Sequence, residues 1–352
     1  MTGSQIKQWT SGLDGLDKLQ LSTAAMPEPK EGEVLVKILS VSLNYRDTEV
    51  CMGLYNHHKS VGGQEQLVPC SDACGVIVDA GSSHWKTGQR VMTVFNQTHL
   101  SGQVKSKDMA SGLGLPLPGV LTEYRCFSAE SLVPVPDYLS DDEAATLPIA
   151  AVTAWMSINQ FRPIDKPADG DVEETVLFQG TGGVAVSGLQ IAHAAGLKTI
   201  ITSSSDDKLE RAKKLGADHG INYKTQPDWQ DEVNKITNDN GADIILETGG
   251  AQTLRKSFDC IAFGGLIDCI GYLSGKEDAP GVNTNVLALR RNVTIKGILN
   301  GPRDRFEEMC RFYAKHEIHP VVDKVFEFEQ AKEGLQYLYS GGHFGKVVVK
   351  VA

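Results

Sequence analysis

The chain has 352 residues, of which 41% are hydrophobic and 22% charged, so it is long enough for two domains of ordinary globular composition. Its formal net charge of −10 argues against a nucleic-acid or anionic-membrane partner, because both require a basic surface. No apolar run approaches the roughly 20 residues that span a bilayer, and the N-terminus lacks an apolar signal-peptide core, so we expect a cytoplasmic protein.

The first 150 residues are predicted to form a β-rich domain. The runs at 33–43 and 74–81 are rich in β-branched residues and are bounded by Gly or Pro, as strands commonly are. Residues 103–118 are polar and then rich in Gly, Leu and Pro, and we expect them to form an inserted loop that lines a substrate pocket.

Strands and helices alternate between residues 151 and 299. A strand at 176–180 is followed by a helix at 183–195 that ends at Gly196, and a strand at 199–202 is followed by a helix that Ser205 can cap. Further strands are predicted at 221–223, 242–247, 264–272 and 292–298. This alternation predicts an α/β fold with a doubly wound parallel sheet of the Rossmann type. Residues 300–352, with a helix at 303–318 and a final strand at 346–352, are predicted to return to the β-rich domain.

A glycine-rich turn joins the first strand of the Rossmann domain to its first helix. Its sequence, GTGGVA at 180–185, is G-x-G-x-x-A, the dinucleotide-binding turn with Ala at the third position. The first Gly permits the tight turn, the second lets the backbone approach a pyrophosphate, and the helix N-terminus favours the anion. The residues predicted to bind the phosphates are Gly180, Thr181, Gly182, Gly183 and Val184.

The end of the second strand indicates which cofactor binds. NAD enzymes place Asp or Glu there to bind the ribose 2′-hydroxyl, whereas this strand ends in serines followed by Lys208. Hydroxyls and a cation suit a 2′-phosphate, so Ser204 and Lys208 predict NADPH. The alternative is that Ser205 only caps a helix and that Lys208 is solvated. Tyr223, after the third strand, either flanks the adenosine or is a core or rim aromatic.

Several motifs occur in one order along nearly the whole chain: LNYRDTEVCMGLY (43–55), PCSDACGVIVDAG (69–81), GVLTEY (119–124), LPIAAVTAW (147–155), GTGGVA (180–185) and HFGKVVV (343–349). In this combination the chain resembles the medium-chain dehydrogenase/reductase superfamily, in particular its zinc-free quinone-oxidoreductase-like or alcohol dehydrogenase-like branch. The resemblance implies a β-rich GroES-like catalytic domain into which the Rossmann domain is inserted.

The resemblance also implies that no metal is bound. Zinc alcohol dehydrogenases of the superfamily have ligands at the positions of Asn44, Ser71 and Ile149, and a catalytic zinc needs three protein ligands. The four-cysteine lobe of a structural zinc is missing as well, since no cysteine occurs between residues 89 and 123. The histidines left for an ad hoc site are His57, His58 and His99.

Members of this branch reduce quinones, enones or enoyl thioesters with NADPH. Without zinc there is no Lewis acid to polarise an oxygen, so hydride delivery relies on positioning and on a hydrogen-bond donor. In the enoyl reductases a tyrosine in a Gly-x-Tyr-Pro segment donates the proton, and the match here is Tyr55, followed by Asn56 in place of Pro. Tyr45 is the rival donor, and Tyr55 as a wall of the pocket is the alternative.

The resemblance implies further residues near the nicotinamide. Asn44 would meet the nicotinamide ribose or carboxamide, and Asp47 would order the loop by pairing with Arg46 or by capping the next turn. The other residues implied on the nicotinamide side are Thr153, Gly271, Leu273, Leu299, Asn300, Phe344 and Lys346.

We therefore expect an enzyme that transfers hydride from NADPH to an activated C=C bond or a quinone, with Tyr55 or water supplying the proton. The first alternative is a metal-free alcohol–carbonyl oxidoreductase, and the second is a cofactor-binding partner protein with little turnover. A homodimer is expected because relatives pair an open sheet edge across a two-fold axis. The seven cysteines, none in a Cys-x-x-Cys pair, are expected to be reduced thiols.

Overall fold

The computed structural model describes residues 4–55, 66–159, 163–164, 174–277 and 283–352. The chain divides into two compact units. Unit 1 comprises Met1–Val152 with Gly301–Ala352, and unit 2 comprises Thr153–Asn300.

The strands are β1 (Gln5–Thr10), β2 (Gln20–Ala25), β3 (Glu33–Leu43), β4 (Asp72–Asp79), β5 (Arg90–Thr93), β6 (Tyr124–Ser128), β7 (Leu132–Pro134), β8 (Thr175–Phe178), β9 (Lys198–Ser203), β10 (His219–Asn222), β11 (Ala242–Glu247), β12 (Ile261–Cys269), β13 (Thr294–Gly297), β14 (Val322–Glu327) and β15 (Lys346–Lys350). The α-helices are α1 (Tyr45–Cys51), α2 (Ser106–Met109), α3 (Asp141–Ala145), α4 (Val152–Ile158), α5 (Gly183–Ala194), α6 (Asp206–Lys214), α7 (Trp229–Ile236), α8 (Leu254–Cys260), α9 (Thr284–Arg291), α10 (Arg303–His316) and α11 (Ala331–Tyr339). A π-helical turn lies at Leu147–Ala151, and short 3-10 helices lie at Leu16–Lys18, Ala129–Ser131 and Phe328–Gln330.

Unit 1 is built on a mostly antiparallel sheet with the order β14-β15-β3-β4-β5-β7, and β6 adds to it by pairing with β3. Alternate residues of β3 are buried from Val34 onward, and its last four residues are all buried, so the end of this strand lies deep in the unit. β15 pairs antiparallel with that end, and Val347 is the partner of Leu43 in the register. The residue before Val347, Lys346, consequently lies beside the residue after Leu43, Asn44.

Unit 2 holds a six-stranded sheet with the order β10-β9-β8-β11-β12-β13, in which every neighbouring pair is parallel. All four residues of β8 are buried, as expected for a central strand of a parallel sheet that is covered on both faces. The chain reverses its direction of progress across the sheet between β8 and β11. Such a switch point is where doubly wound sheets bind ligands, at the carboxyl ends of the strands. The predicted α/β fold with a Rossmann sheet is confirmed.

Some predicted limits differ from the observed ones. The strands predicted at 74–81 and 264–272 lie at Asp72–Asp79 and Ile261–Cys269. Residues 103–118 are not entirely loop, because α2 forms within them. All seven cysteines lie in the described ranges, and none forms a disulfide. Within those ranges no helix combines the length and the apolar character that a membrane crossing requires.

One carboxyl of unit 2 is buried with only partial compensation. Asp268 on β12 is fully buried, and neither of its carboxyl oxygens has a hydrogen-bond partner of ordinary geometry in the described part of the chain. Burial raises the pKa of Asp268 to about 8, although the charge of Lys296, its register partner on β13, and a weak hydrogen bond with Ser157 oppose the shift. The neutral carboxylic acid therefore predominates at pH 7.

Candidate active site

The phosphate loop of unit 2 begins where β8 ends. Gly180 has a left-handed backbone with φ of +77°, and its N–H donates to Thr202 Oγ1 at 3.2 Å. A Cβ added at Gly180 would meet nothing within 4 Å, so the space beside this backbone is open. Gly182 is the N-cap of α5, which starts at Gly183. An open turn at a helix N-terminus suits a pyrophosphate, and these residues therefore fit a bound dinucleotide.

Helix α5 packs tightly against β8. The sequence pattern indicated Ala185 as the small residue that permits close packing, and Ala185 is indeed buried. The tightest approach is nevertheless at Gly188, one turn further along the same helix face, where a Cβ would lie 2.6 Å from Phe178 Cε1. Gly188 thus sets the distance between α5 and β8, a role that the sequence analysis missed.

A hydrogen-bond network that the sequence analysis also missed is centred on Glu247. This residue ends β11 and is 1% exposed. Its Oε2 accepts from Gln179 Nε2 at 2.8 Å and from the Ser257 hydroxyl. The donors to its Oε1 are the Gly249 N–H at 3.0 Å, the Gly250 N–H at 2.9 Å and the Thr253 hydroxyl. A buried carboxylate with this many donors holds the carboxyl end of β11 in one conformation.

Gln179 connects this network to the phosphate loop. Its Oε1 accepts from the N–H groups of Thr248 at 3.1 Å and Gly249 at 3.3 Å, and its backbone carbonyl accepts from Thr248 Oγ1 at 3.1 Å. Because Gln179 immediately precedes Gly180, Glu247 stabilises both sides of the switch point. The available sequence signal was an acidic residue that ends an apolar run, since a buried carboxylate requires several hydrogen-bond donors.

Of the two residues predicted to meet the 2′-phosphate, Ser204 follows β9 and Lys208 lies on α6, and Tyr223, predicted beside the adenosine, follows β10. Ser204 and Lys208 are half-buried, and Tyr223 is exposed. The Tyr223 N–H donates to the Ser203 carbonyl at 3.0 Å, which holds the two strand ends together. Ser205 caps α6, because its Oγ accepts from the Lys208 N–H at 3.4 Å. Recognition of the phosphate by the Ser204 and Lys208 side chains stays a prediction.

The other predicted residues of unit 2 lie near the carboxyl ends of its strands. A Cβ at Gly271 would lie 2.8 Å from the Thr248 carbonyl oxygen, and the Leu273 N–H donates to that oxygen at 3.1 Å. Thr153 on α4 is 1% exposed, and its Oγ1 has no hydrogen-bond partner among the described residues. A buried hydroxyl without a partner suits a polar group of a bound ligand. Two half-buried residues follow β13, Leu299 and Asn300.

Unit 1 contains a buried polar group that we call the Asn44 cluster, made of Asn44, Asp47, Asp72 and Lys346. None of the four is more than 8% exposed. The Lys346 ammonium donates to Asn44 Oδ1 at 2.6 Å and to the Leu43 carbonyl at 2.7 Å. The structure thus brings together two residues that were predicted separately. It directs Lys346 at Asn44 rather than at an open surface. Phe344, the third predicted residue of this region, is buried in the unit.

Asp72 ties the cluster to the π-helical turn. Its Oδ1 accepts from Ser71 Oγ at 2.7 Å, and its Oδ2 accepts from the Ile149 N–H at 3.0 Å. Burial raises the pKa of Asp72, and the positive charge of Lys346 opposes the shift. Burial lowers the pKa of Lys346, and the negative charge of Asp72 opposes that shift. Each group therefore stabilises the charged form of the other.

Asp47 performs both of the roles predicted for it. Its Oδ2 accepts from the Asn44 N–H at 2.8 Å at the start of α1, and its Oδ1 lies 3.2 Å from Arg46 Nη1. Burial raises the pKa of Asp47 to about 6, and Arg46 opposes the shift. Two acidic groups, Asp47 and Asp72, are therefore matched by two basic groups, Arg46 and Lys346.

The two tyrosines considered as proton donors have different surroundings. The Arg46 guanidinium lies 4.9 Å from the Tyr55 ring centroid and 4.9 Å from that of Phe95. Tyr45 stacks on Tyr339 at 6.2 Å and is 39% exposed. Arg46 thus fixes the Tyr55 ring by a cation–π contact, whereas Tyr45 belongs to an aromatic pair. Three residues considered above lie outside the described residues, namely Asn56, His57 and His58.

The donor chemistry of this region does not fit zinc. At the three positions where zinc enzymes of the superfamily hold ligands, Asn44 Oδ1 is bound by an ammonium and Ser71 Oγ donates to Asp72. Ile149 has no ligand atom in its side chain. His99 Nε2 is hydrogen-bonded to a backbone carbonyl at 2.9 Å. In the part of the chain that the structure describes, no three His, Cys, Asp or Glu side chains are grouped to hold a metal ion.

Comparison with known proteins identifies the family. Residues 30–137 match the model of the alcohol dehydrogenase GroES-like domain, and residues 183–315 match that of the zinc-binding dehydrogenases. The chain is 40% identical over 345 residues to a zinc-type alcohol dehydrogenase-like protein of Schizosaccharomyces pombe, covering 96% of this chain and 97% of that protein. It is 27% identical over 347 residues to a 2-haloacrylate reductase of a Burkholderia species, covering 95% and 96% of the two chains. A solved structure assigned as an alcohol dehydrogenase from Sinorhizobium meliloti 1021 has a TM-score of 0.88 at 35% identity and covers 100% of both chains.

Identity of 40% along almost the full length of a relative is sufficient to assign the family. The GroES-like model lies within unit 1, and the zinc-binding dehydrogenase model covers most of unit 2 and continues into the segment that returns to unit 1. Membership does not by itself distinguish the zinc-dependent members from the zinc-free quinone-oxidoreductase-like branch. The chain therefore belongs to the medium-chain dehydrogenase/reductase superfamily, as a zinc-type alcohol dehydrogenase-like oxidoreductase with a GroES-like domain and an NAD(P)-binding Rossmann domain.

Proposed function

We propose that the protein is a zinc-independent reductase that uses NADPH to reduce an activated C=C bond or a quinone. The observation that carries this proposal is the contact of the Lys346 ammonium with Asn44 Oδ1 at 2.6 Å, at a position where zinc enzymes of the family have a ligand. A Zn²⁺ ion at this position would find neither thiolate nor imidazole and would meet a positive charge. Without a Lewis acid, the favoured acceptor is one that its own conjugation activates.

One relative supports this acceptor class by its name. A 2-haloacrylate is an alkene conjugated to a carboxyl group, and the reductase named for it is similar to this chain along nearly its whole length. The proposal extends only to the class of acceptor, an alkene or quinone activated by conjugation.

NADPH would be held in unit 2 by the phosphate loop, with Ser204 and Lys208 at the 2′-phosphate and Tyr223 beside the adenosine. When bound, NADPH supplies the hydride. Thr153 and Asn44 would hydrogen-bond the nicotinamide part of the cofactor, and Tyr55 or water would supply the proton. The remaining proposed neighbours of the nicotinamide are Gly271, Leu273, Leu299, Asn300 and Phe344.

A metal-free alcohol–carbonyl oxidoreductase is the second candidate. It is favoured by the relative with 40% identity, which is described as zinc-type alcohol dehydrogenase-like. The two candidates differ in whether a simple ketone with no conjugated alkene is reduced.

The test combines metal analysis with a substrate panel. Elemental analysis of the purified protein is expected to find no stoichiometric zinc, and NADPH absorbance is expected to fall with enones or quinones in the presence of a chelator. Activity that a chelator abolishes and zinc restores would refute metal independence. Turnover of simple ketones alone would favour the second candidate, and tight NADPH binding without turnover would favour a non-catalytic partner protein.

A further inference from the structure

Lys346 is a buried cation whose two hydrogen bonds both go to the end of β3. Its Nζ donates to the Leu43 carbonyl at 2.7 Å and to Asn44 Oδ1 at 2.6 Å, and Lys346 as a whole is 4% exposed. An ammonium has three donor hydrogens and no acceptor, so it binds only the oxygen of the Asn44 amide. This contact fixes which edge of the amide faces Lys346 and which edge faces away.

The nitrogen edge of the same amide is not fully paired. Asn44 Nδ2 is buried and makes no hydrogen bond of ordinary geometry among the described residues. A side-chain hydrogen bond of longer or bent geometry from Asn44 lowers the pKa of Asp72, so that carboxyl engages at most one of the two Nδ2 hydrogens and the other N–H is available. A buried donor without an acceptor is costly unless a ligand supplies one.

The rest of the cluster holds Asn44 in place. Asp47 accepts from the Asn44 backbone N–H at 2.8 Å, so the residue is fixed on its main-chain side. The Lys346 ammonium is fixed in turn by the Leu43 carbonyl, and the charges of Asp72 and Asp47 favour its protonated form. The Asn44 amide is therefore held both through its backbone and through its oxygen.

We propose that Lys346 is a positioning residue that orients and polarises the Asn44 amide, so that Nδ2 donates to an oxygen of the nicotinamide ribose or carboxamide. The inference rests on the proposed function for the identity of this ligand. Consecutive hydrogen bonds polarise one another, so an ammonium on Oδ1 makes Nδ2–H a stronger donor. Lys346 then acts on the cofactor through Asn44 without touching it.

A binding cycle tests the proposal. Dissociation constants are measured by calorimetry for NADPH and for 2′,5′-ADP, which carries the adenosine and the 2′-phosphate but no nicotinamide. If the wild type binds NADH more tightly, the pair is NADH and ADP. The variants are Lys346→Met, Lys346→Arg, Asn44→Ala and the Lys346→Met/Asn44→Ala double variant, each checked for folding by thermal melting.

Asn44→Ala is expected to weaken NADPH binding about tenfold, because it removes roughly one hydrogen bond, the one that the polarised Nδ2–H donates to the cofactor. The affinity for 2′,5′-ADP is expected to stay unchanged. Lys346→Met is expected to weaken NADPH similarly, the double variant no further than the stronger single variant, and Lys346→Arg is expected to restore most of the affinity. A merely structural role for Lys346 would lower the melting temperature without changing the ratio of the two dissociation constants.

An NADPH to 2′,5′-ADP ratio that stays at the wild-type value in Lys346→Met, or additive effects in the double variant, would overturn the proposal. If Lys346→Met does not fold, the single variants Asn44→Ala and Lys346→Arg still test the proposal. An unchanged ratio of the two dissociation constants in Asn44→Ala overturns it. The proposed function fails separately, when the wild type binds NADPH but reduces no enone or quinone. A wild type that binds neither dinucleotide would overturn both.

Discussion

Replacement of Glu247 by Gln tests how the carboxyl end of the Rossmann sheet is held together. Glu247→Gln is nearly isosteric, but it converts one acceptor oxygen into an NH₂ group. If that group takes the place of Oε2, it faces Gln179 Nε2, 2.8 Å away in the wild type, and the Ser257 hydroxyl. The opposite rotamer would instead face the donors on the Oε1 side, among them the Gly249 and Gly250 N–H groups. Neither rotamer satisfies the network.

The magnitude follows from the bonds that are lost. Ser257 can rotate its hydroxyl, whereas a flip of the Gln179 amide would break its bonds to the Thr248 and Gly249 N–H groups. One to two charge-assisted bonds are therefore lost, at roughly 1.5–3 kcal/mol each, which predicts destabilisation by about 1.5–6 kcal/mol. Because Gln179 adjoins Gly180, dinucleotide binding should weaken as well.

Denaturant unfolding gives the free energy, and hydrogen exchange of the β8 and β11 amides shows whether the loss is in unit 2. Glu210→Gln is the matched control, because Glu210 lies on the exposed face of α6 with its carboxylate near Lys213; a change within about 0.5 kcal/mol is expected there. The reasoning would be refuted if Glu247→Gln unfolded within about 0.5 kcal/mol of the wild type and bound the dinucleotide equally well.

Lys208→Ala is expected to weaken NADPH binding by about one to two decades while leaving NADH binding nearly unchanged, since a charge-assisted contact is worth roughly 1.5–3 kcal/mol. Calorimetry measures both affinities, with Lys213→Ala as the control. Equal effects on both cofactors would show that Lys208 does not bind the 2′-phosphate. Asp268→Asn should alter the pH dependence of stability: since burial raises the pKa of Asp268 from 3.8 to about 8, the folded wild type holds an extra proton between those pH values and loses stability as pH rises through them. The free energy of unfolding of the variant should therefore rise relative to that of the wild type by up to about 1.4 kcal/mol per pH unit between about pH 4 and 8. A difference between the two proteins that stays constant across this range would contradict the prediction. Tyr55→Phe should keep NADPH affinity but lower kcat and kcat/KM together by about 10²-fold, the low end for general acid catalysis because water can substitute. If Tyr55→Phe instead turns over at the wild-type rate and Tyr45→Phe is slower, Tyr45 is the proton donor. Light scattering is expected to give a homodimer, because β13 is an edge strand near the exposed Phe263 and Leu289, and the mass of a single chain at micromolar concentration would count against it.

The sequence alone was sufficient for features that depend on local periodicity. Strand–helix alternation predicted the Rossmann sheet, and β3 lies at the limits expected from its β-branched run. The glycine turn at Gly180 was predictable because the positive φ of a tight turn between a strand and a helix strongly favours Gly. The sequence also shows that Asn44, Ser71 and Ile149 are neither Cys nor His. That these are the zinc-ligand positions is implied by the resemblance to the superfamily.

The contacts between distant segments required the tertiary structure. Lys346 and Asn44 are 302 positions apart, and the antiparallel register of β15 with β3 brings them within 2.6 Å. Gln179 and Glu247 are 68 positions apart and meet because β8 and β11 are adjacent at the switch point. Sequence patterns record which side of an element is buried, but they do not record which buried polar groups face one another, because strand order and register are set by the packing of the whole unit.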